Sequence, residues 1–183
     1  MAAKTVVDGE ADCGPMDPTI IQLLILDVDG VLTDGRITLG PDGDAGKGFC
    51  VQDGCAIKLW RRAGGQVAIL SGRKSPEITR RAAELGIEQV HVGIGDKLAA
   101  YVAIVAATGG GDGAAAYVGD DLPDLGPMMR CGFAVAVANA IPTVKRAAAY
   151  VTRRAGGYGA VAETVELLLR RQNKWSQAVS AGA

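Results

Sequence analysis

The sequence predicts an α/β fold, a doubly wound parallel sheet with a β-hairpin flap after its first strand. Three observations carry that expectation. Leu23-Leu24-Ile25-Leu26 is an unbroken apolar run, the pattern of a central strand buried on both faces. Short apolar runs then alternate with helical periodicity to the end of the chain. Finally, acidic stretches, Asp27-Val28-Asp29 and Gly119-Asp120-Asp121, directly follow two of these runs, where open α/β sheets hold their ligands.

Residues 1–18 mix Gly, Asp, Pro and small side chains without periodicity and read as a mobile leader; 19–175 form the domain and 176–183 a tail. After the first strand, Arg36-Ile37-Thr38-Leu39 and Gly48-Phe49-Cys50-Val51 flank a Gly-rich connection, a hairpin placed to cover the double acid. A helix starting at Asp53-Gly54 carries Ile57, Leu59, Trp60 and Ala63 and stops at Gly64-Gly65. Gln66 to Leu70 is the next buried strand and delivers Ser71. Ser75-Pro76 opens a helix, Ser as cap and Pro at the first helical position, which runs to Leu85-Gly86.

Gln89 to Val92 is a short strand, and Asp96 caps a helix beginning at Lys97. Thr108 to Gly113 is a loop, Ala114 to Val118 a strand ending in acids, and a helix follows to Arg130. Phe133–Val137, a helix from Pro142 to Ala149, the strand Tyr150-Val151-Thr152 and a final helix from Gly159 to Gln172 complete the alternation.

Composition excludes several function classes. A net charge of −1 leaves no polybasic footprint for nucleic acid or membrane. No apolar run approaches the roughly 20 residues that span a bilayer. Cys13, Cys50, Cys55 and Cys131 form no C-x-x-C pair and read as buried or free thiols, which with the lack of a secretory signal points to a reducing cytoplasm. His91 is the sole histidine and lies on a short strand as a structural residue, so histidine triads and multi-histidine metal sites are disfavoured.

The remaining constellation suits phosphoryl transfer. Side chains alternate along an extended chain, so Asp27 and Asp29 are expected on one side. Two carboxylates about 4 Å apart repel by about 4 kcal/mol at an effective dielectric near 20, which calls for a divalent cation or a proton. Mg²⁺, a hard ion suited to carboxylates, would lie between Asp27 and Asp120. Asp27 is placed to attack phosphorus, Asp29 to act as general acid and base, and Ser71 and Lys97 to stabilise the equatorial oxygens. Taken singly, Ser71 also suits a turn, Lys97 a solvated helix start, and Asp120-Asp121 an N-cap. Their joint order is far more specific.

Asp27-Val28-Asp29-Gly30-Val31-Leu32-Thr33-Asp34-Gly35, Ser71-Gly72-Arg73-Lys74-Ser75, Lys97 and Gly119-Asp120-Asp121-Leu122-Pro123-Asp124 resemble the four motifs of the haloacid dehalogenase-like phosphatases. From about Ile21 to Trp175 the chain resembles, more narrowly, the 3-deoxy-D-manno-octulosonate 8-phosphate (Kdo 8-phosphate) phosphatase family. That match rests on Phe49 to Gly54, Ser71 to Arg81, Tyr150-Val151-Thr152-Arg153 and Gly156-Gly157-Tyr158-Gly159-Ala160-Val161. The resemblance implies a Rossmann-like domain without a cap domain, a Mg²⁺-dependent phosphatase acting through an aspartyl phosphate, and a cytoplasmic homotetramer. Its hairpins would associate between subunits, and its tail would help close a neighbour's site.

By resemblance, the metal ligands are Asp27, the backbone carbonyl of Asp29, and Asp120, with Asp121 and Asp124 in support. Substrate contacts fall to Asp29, Cys50, Val51, Gln52, Asp53, Gly54, Lys58, Arg73, Arg81 and Lys97. The chain departs from the family at Cys50, Gln52, Lys58, Tyr158 and Ala162, several of which replace arginines. These departures leave a nonulosonate 9-phosphate or another sugar phosphate open as substrate. A non-catalytic oligomerisation module is the alternative from another class, and the intact acids, Ser71 and Lys97 argue against it. A signalling receiver places its phosphorylated Asp on a middle strand, whereas here that strand ends in Ser71.

Overall fold

The computed structural model describes residues 17–40, 43–44 and 46–180. In chain order the elements are β1 (Leu23–Leu26), β2 (Leu39–Gly40), β3 (Gly43–Asp44), α1 (Val51–Arg62), β4 (Gln66–Ser71), α2 (Pro76–Leu85), β5 (Gln89–Val92) and α3 (Lys97–Thr108). They continue with β6 (Ala115–Gly119), α4 (Leu125–Arg130), β7 (Phe133–Ala136), α5 (Pro142–Ala147), β8 (Tyr150–Val151), α6 (Ala160–Arg171) and α7 (Trp175–Ser180). Six strands form one parallel sheet in the order β5-β4-β1-β6-β7-β8. No cap domain is present among the described residues.

The chain builds outward from β1 to β4 and β5, then crosses back to lay β6, β7 and β8 on the other side. The direction of winding therefore reverses between β1 and β6, which opens a crevice at their carboxyl ends. Register sets what meets there. Leu26 is level with Ile69 of β4 and Val118 of β6, so Asp27, Ser71 and Asp120 emerge at nearly one height.

The central strands β1, β6 and β7 are buried throughout, with Leu24, Ile25 and Leu26 wholly so, because helices cover both faces of the sheet. On one side α1 packs against α6, α7 and α2; on the other α4 packs against α3 and α5. Where α1 packs against α6, Ile57 and Trp60 of α1 and Val165, Leu168 and Leu169 of α6 are all buried. Trp60 Nε1 also donates to the carbonyl of Gln66 at 2.9 Å and so fixes α1 to the start of β4. Asp96 caps α3 as expected, its Oδ1 accepting from Ala99 N at 3.0 Å.

Several boundaries differ from the sequence reading. The hairpin forms, but its strands are β2 and β3, not Arg36–Leu39 and Gly48–Val51. Gly48 to Cys50 is irregular and α1 starts at Val51, because Cys50 serves as its N-cap. Ser75 occupies the N-cap of α2, yet its hydroxyl donates to the Glu77 carboxylate rather than capping the helix. The tail carries a helix, α7, that lacks an obvious periodic signal and is held by buried Ala178. The leader to residue 16, with Cys13, lies outside the described residues. Among the described residues Cys50, Cys55 and Cys131 form no disulfide, and the buried Cys131 Sγ donates to Met128 O at 3.4 Å. No helix among the described residues is long and apolar enough to cross a membrane.

One close approach determines how the loop between β8 and α6 meets the loop after β1. Gly156 is buried against that loop, and a Cβ there would lie 1.7 Å from the Gly30 oxygen. Asn139 joins the same two segments, donating to Gly30 O at 3.3 Å and accepting from Gly156 N at 2.7 Å. Gly156→Ala is expected to lower stability by about 1–3 kcal/mol by overpacking. Denaturant unfolding should show a lower midpoint with an unchanged slope, and an unchanged midpoint would refute this account of the contact.

Candidate active site

The loop that leaves β1 is built around Thr33. Its buried hydroxyl donates to Val28 O at 3.2 Å and accepts from Gly30 N and Gly35 N at 3.4 and 3.3 Å. Val28 is driven into the core while Asp27 and Asp29 both line one cavity of about 370 Å³. The expected shared side is reached, although β1 ends at Leu26 and strand alternation is not its cause. Ser71, Arg73, Lys97, Asp120, Asp121 and Asp124 line the same cavity.

Lys97, at the first turn of α3, is buried and lies 2.9 Å from Asp27 Oδ1 and 2.7 Å from Asp124 Oδ1. Asp124 is fully engaged. Its Oδ1 also accepts from the Tyr117 hydroxyl at 2.8 Å, and its Oδ2 accepts from Asp120 N and Asp121 N at 3.0 and 3.2 Å. Tyr117 remains a neutral donor, since burial and the Asp124 charge hold its pKa well above the usual phenol. Asp121 caps the short turn that carries Asp124. These two acids therefore hold Lys97 and the backbone in place.

Asp120 is different, because its buried Oδ1 accepts no hydrogen bond among the described residues. Carboxylate oxygens of Asp27, Asp120 and Asp124 all lie within 4.8 Å of one another. Gly30 keeps the space beside Asp120 clear, as a Cβ there would sit 2.0 Å from Asp120 Oδ2. An orphaned buried oxygen within an all-carboxylate cluster fits a hard divalent cation. Asp27 and Asp120 have oxygens to offer it, whereas both oxygens of Asp124 are already satisfied.

Crowding perturbs these acids. Burial, then the charge of Asp124, raises the pKa of Asp27 to about 6 despite Lys97 beside it. Burial, then Asp27, Asp124 and Asp121, raises that of Asp120 to about 8. Burial alone would lower the pKa of Lys97, but the charges of Asp27 and Asp124 outweigh it and hold the ammonium above its ordinary value.

Asp29 is oriented otherwise. Its Oδ1 accepts from Lys47 Nζ, contributed by the return limb of the hairpin, and its Oδ2 faces Arg73 Nε at 3.9 Å. Ser71, buried at the end of β4, accepts from Arg73 N at 3.3 Å. The sequence alone gives no sign of the parts played by Lys47, Tyr117 and Asn139. Lys47 sits in a Gly-rich stretch with no motif, and Tyr117 reads as one more apolar strand residue.

The other candidate substrate residues do not line the acid cavity within the same chain. Cys50, Val51 and Gln52 lie at the start of α1, with Val51 exposed and Gln52 Oε1 accepting from Arg154 Nη1 at 2.8 Å. Asp53 is buried and accepts from Gly159 N and Ala162 N at 3.3 and 2.8 Å, joining α1 to the start of α6. Gly54 lies under the Arg81 guanidinium, which also pairs with Glu84 at 3.0 Å and approaches the Phe49 ring. Lys58 lines a separate cleft with Arg61, Arg62 and Glu84.

Residues 94–165 match a family described as haloacid dehalogenase-like hydrolase. The chain is 45% identical over 158 residues, 86% of its length and 84% of the relative, to 3-deoxy-D-manno-octulosonate 8-phosphate phosphatase KdsC of Escherichia coli K12. It is 43% identical over 171 residues to the KdsC of Salmonella typhimurium, covering 90% of this chain and 91% of the relative. The Moraxella catarrhalis 3-deoxy-D-manno-octulosonate 8-phosphate phosphatase, solved with magnesium, phosphate and KDO, superposes with a TM-score of 0.88 at 38% identity, covering 91% and 96% of the two chains. A cobalt-bound deoxy-D-mannose-octulosonate 8-phosphate phosphatase of Haemophilus influenzae gives 0.86 at 39%, covering 89% and 98%.

The raised acids make a pH prediction with a definite sign. Between about pH 4 and their folded values the native state binds more protons than the unfolded chain, so stability falls as pH rises. For metal-stripped protein, Tm should fall as pH rises through about 6 and again toward about 8. An added divalent cation should raise Tm more at pH 8 than at pH 5. Equal cation effects at the two pH values would contradict the cluster's role.

Proposed function

The chain belongs to the Kdo 8-phosphate phosphatases of the haloacid dehalogenase-like hydrolases, and from that premise we propose that it hydrolyses Kdo 8-phosphate to Kdo and phosphate with Mg²⁺ as cofactor. The observation that carries this reading is the placement of Asp27. Its buried carboxylate stands at the switch point of the sheet with one oxygen tied to Lys97 and the acid cluster alongside. The magnesium, phosphate and KDO in the Moraxella relative support the cofactor and the sugar.

Asp27, Asp120 and the backbone carbonyl of Asp29 are the proposed metal ligands. A bound Mg²⁺ supplies charge screening that lets a phosphate dianion enter among carboxylates. Asp27 attacks phosphorus with its carboxylate oxygen, and the bond from phosphorus to the sugar oxygen breaks. Asp29 gives its proton to that leaving oxygen. A water then attacks the aspartyl phosphate, Asp29 takes back a proton, and the bond between Asp27 and phosphorus breaks to release phosphate. Lys97 and the Ser71 hydroxyl stabilise the equatorial oxygens, with Asp124 and Tyr117 holding Lys97 in position. Arg73, half exposed at the mouth, suits the anionic sugar because its planar fork matches a carboxylate.

We also propose a homotetramer. Ile37, Leu39, Val51 and Tyr158 expose apolar surface on the hairpin, the start of α1 and the tail loop. Cys50 to Gly54, Lys58 and Arg81 would then serve a neighbour's site, which accounts for their position away from the local cavity. A stable monomer by light scattering would overturn the assembly.

Asp27→Asn is expected to abolish phosphate release, by more than about 10³-fold, while preserving the fold. Chelation should remove wild-type activity and Mg²⁺ should restore it. Assays across Kdo 8-phosphate, a nonulosonate 9-phosphate and simple sugar phosphates test the substrate; a clear preference for either of the latter would replace Kdo 8-phosphate.

A further inference from the structure

Lys47 is a charged residue in the site that neither the motifs nor the proposed chemistry uses. It comes from the hairpin's return limb, between Gly46 and the irregular Gly48–Cys50 stretch that enters α1. Its side chain is only 4% exposed and donates to Asp29 Oδ1. Lysine is among the residues least often buried, and a buried ammonium is tolerated only when it is paired. The backbone arrangement serves this placement. Gly46 has φ +109, a left-handed conformation strained for other residues, and open space where a Cβ would stand, so glycine is required there for the turn and not for room.

The consequence for Asp29 is geometric. One oxygen is held by Lys47, while the other is buried, accepts no hydrogen bond among the described residues and lies 3.9 Å from Arg73 Nε, both residues lining the cavity. A carboxylate fixed by one oxygen has its rotation removed and presents the second oxygen in a single direction. General acid catalysis depends on such alignment with the leaving oxygen.

We propose that Lys47 is a positioning residue: the hairpin supplies it to lock Asp29, so that the other Asp29 oxygen, beside Arg73, faces the leaving group. The idea rests on Asp29 being the general acid of the proposed phosphatase. It assigns the hairpin a part in catalysis within its own subunit, beyond covering the site or joining subunits.

The test uses leaving groups of different need. A sugar alkoxide requires its proton, whereas p-nitrophenolate departs without one. In the full-length Mg²⁺-loaded protein, Lys47→Met should lower the single-turnover rate of sugar release from Kdo 8-phosphate by about 10–100-fold, part of the roughly 10²–10⁴-fold that general acid–base catalysis supplies, with little change in the single-turnover release of p-nitrophenolate, whose departure needs no acid. KM should hardly move, and Lys47→Arg should recover part of the loss. Retained single-turnover release of p-nitrophenolate also reports that the variant is folded. Equal losses of this first-step rate on both substrates, or a raised KM at an unchanged first-step rate, would overturn the proposal in favour of a structural or substrate-binding lysine. Glycerol 3-phosphate is assayed in parallel as a second alkyl phosphate. A wild type that cleaves it and the aryl phosphate but spares Kdo 8-phosphate would refute the sugar assignment, and the Lys47 comparison would still be decided on glycerol 3-phosphate.

Discussion

The site depends on one ammonium shared by two carboxylates. Lys97 Nζ touches Asp27 and Asp124 together, in a place from which water is largely excluded. Without it, Asp27, Asp120 and Asp124 would repel one another at the carboxyl ends of β1 and β6. With it, Asp124 becomes an anchor whose four hydrogen bonds reach Lys97, Tyr117 and two backbone amides. Breaking such a pair leaves an uncompensated buried charge, which is far more harmful than losing an exposed ion pair. The compensation is incomplete at Asp120, and the unsatisfied oxygen left there is what makes the cluster receptive to a cation.

Around this centre the backbone is arranged by contacts that leave no space for side chains. Thr33 closes the loop after β1, and Asn139 with Gly156 presses the tail loop against Gly30. The loop bearing Asp27 and Asp29 is thereby held from below by the sheet and from the side by the tail. Glu163 of α6 anchors the same tail region: burial opposes its charge, but the amides of Arg153 and Arg154 and the Tyr150 hydroxyl outweigh that and hold its pKa down. A rigid frame of this kind suits a reaction in which alignment of one attacking oxygen governs the rate.

The hairpin enters this frame as an addition to the sheet. Its two short strands pair only with each other, and its exposed apolar residues face outward, while Lys47 reaches inward to Asp29. One segment thus joins the surface on which subunits would associate to the proposed general acid, so that assembly and catalysis would share a physical element.

Local sequence determined the alternation of strands and helices, the central position of Leu23–Leu26, the cap at Asp96 and the acids, Ser71 and Lys97 at strand ends and helix starts. Each of these is written in short-range periodicity and in motifs whose residue types have few other uses. Tertiary structure alone decided the rest. Lys47 meets Asp29 across 18 positions, and Tyr117, on a strand that reads as purely apolar, turns its hydroxyl onto Asp124. Asp53 secures the start of α6, over 100 residues away. Such pairings depend on how the sheet, the hairpin and the tail loop pack together, and hydrophobic spacing along the chain carries no record of which buried charge will find which partner.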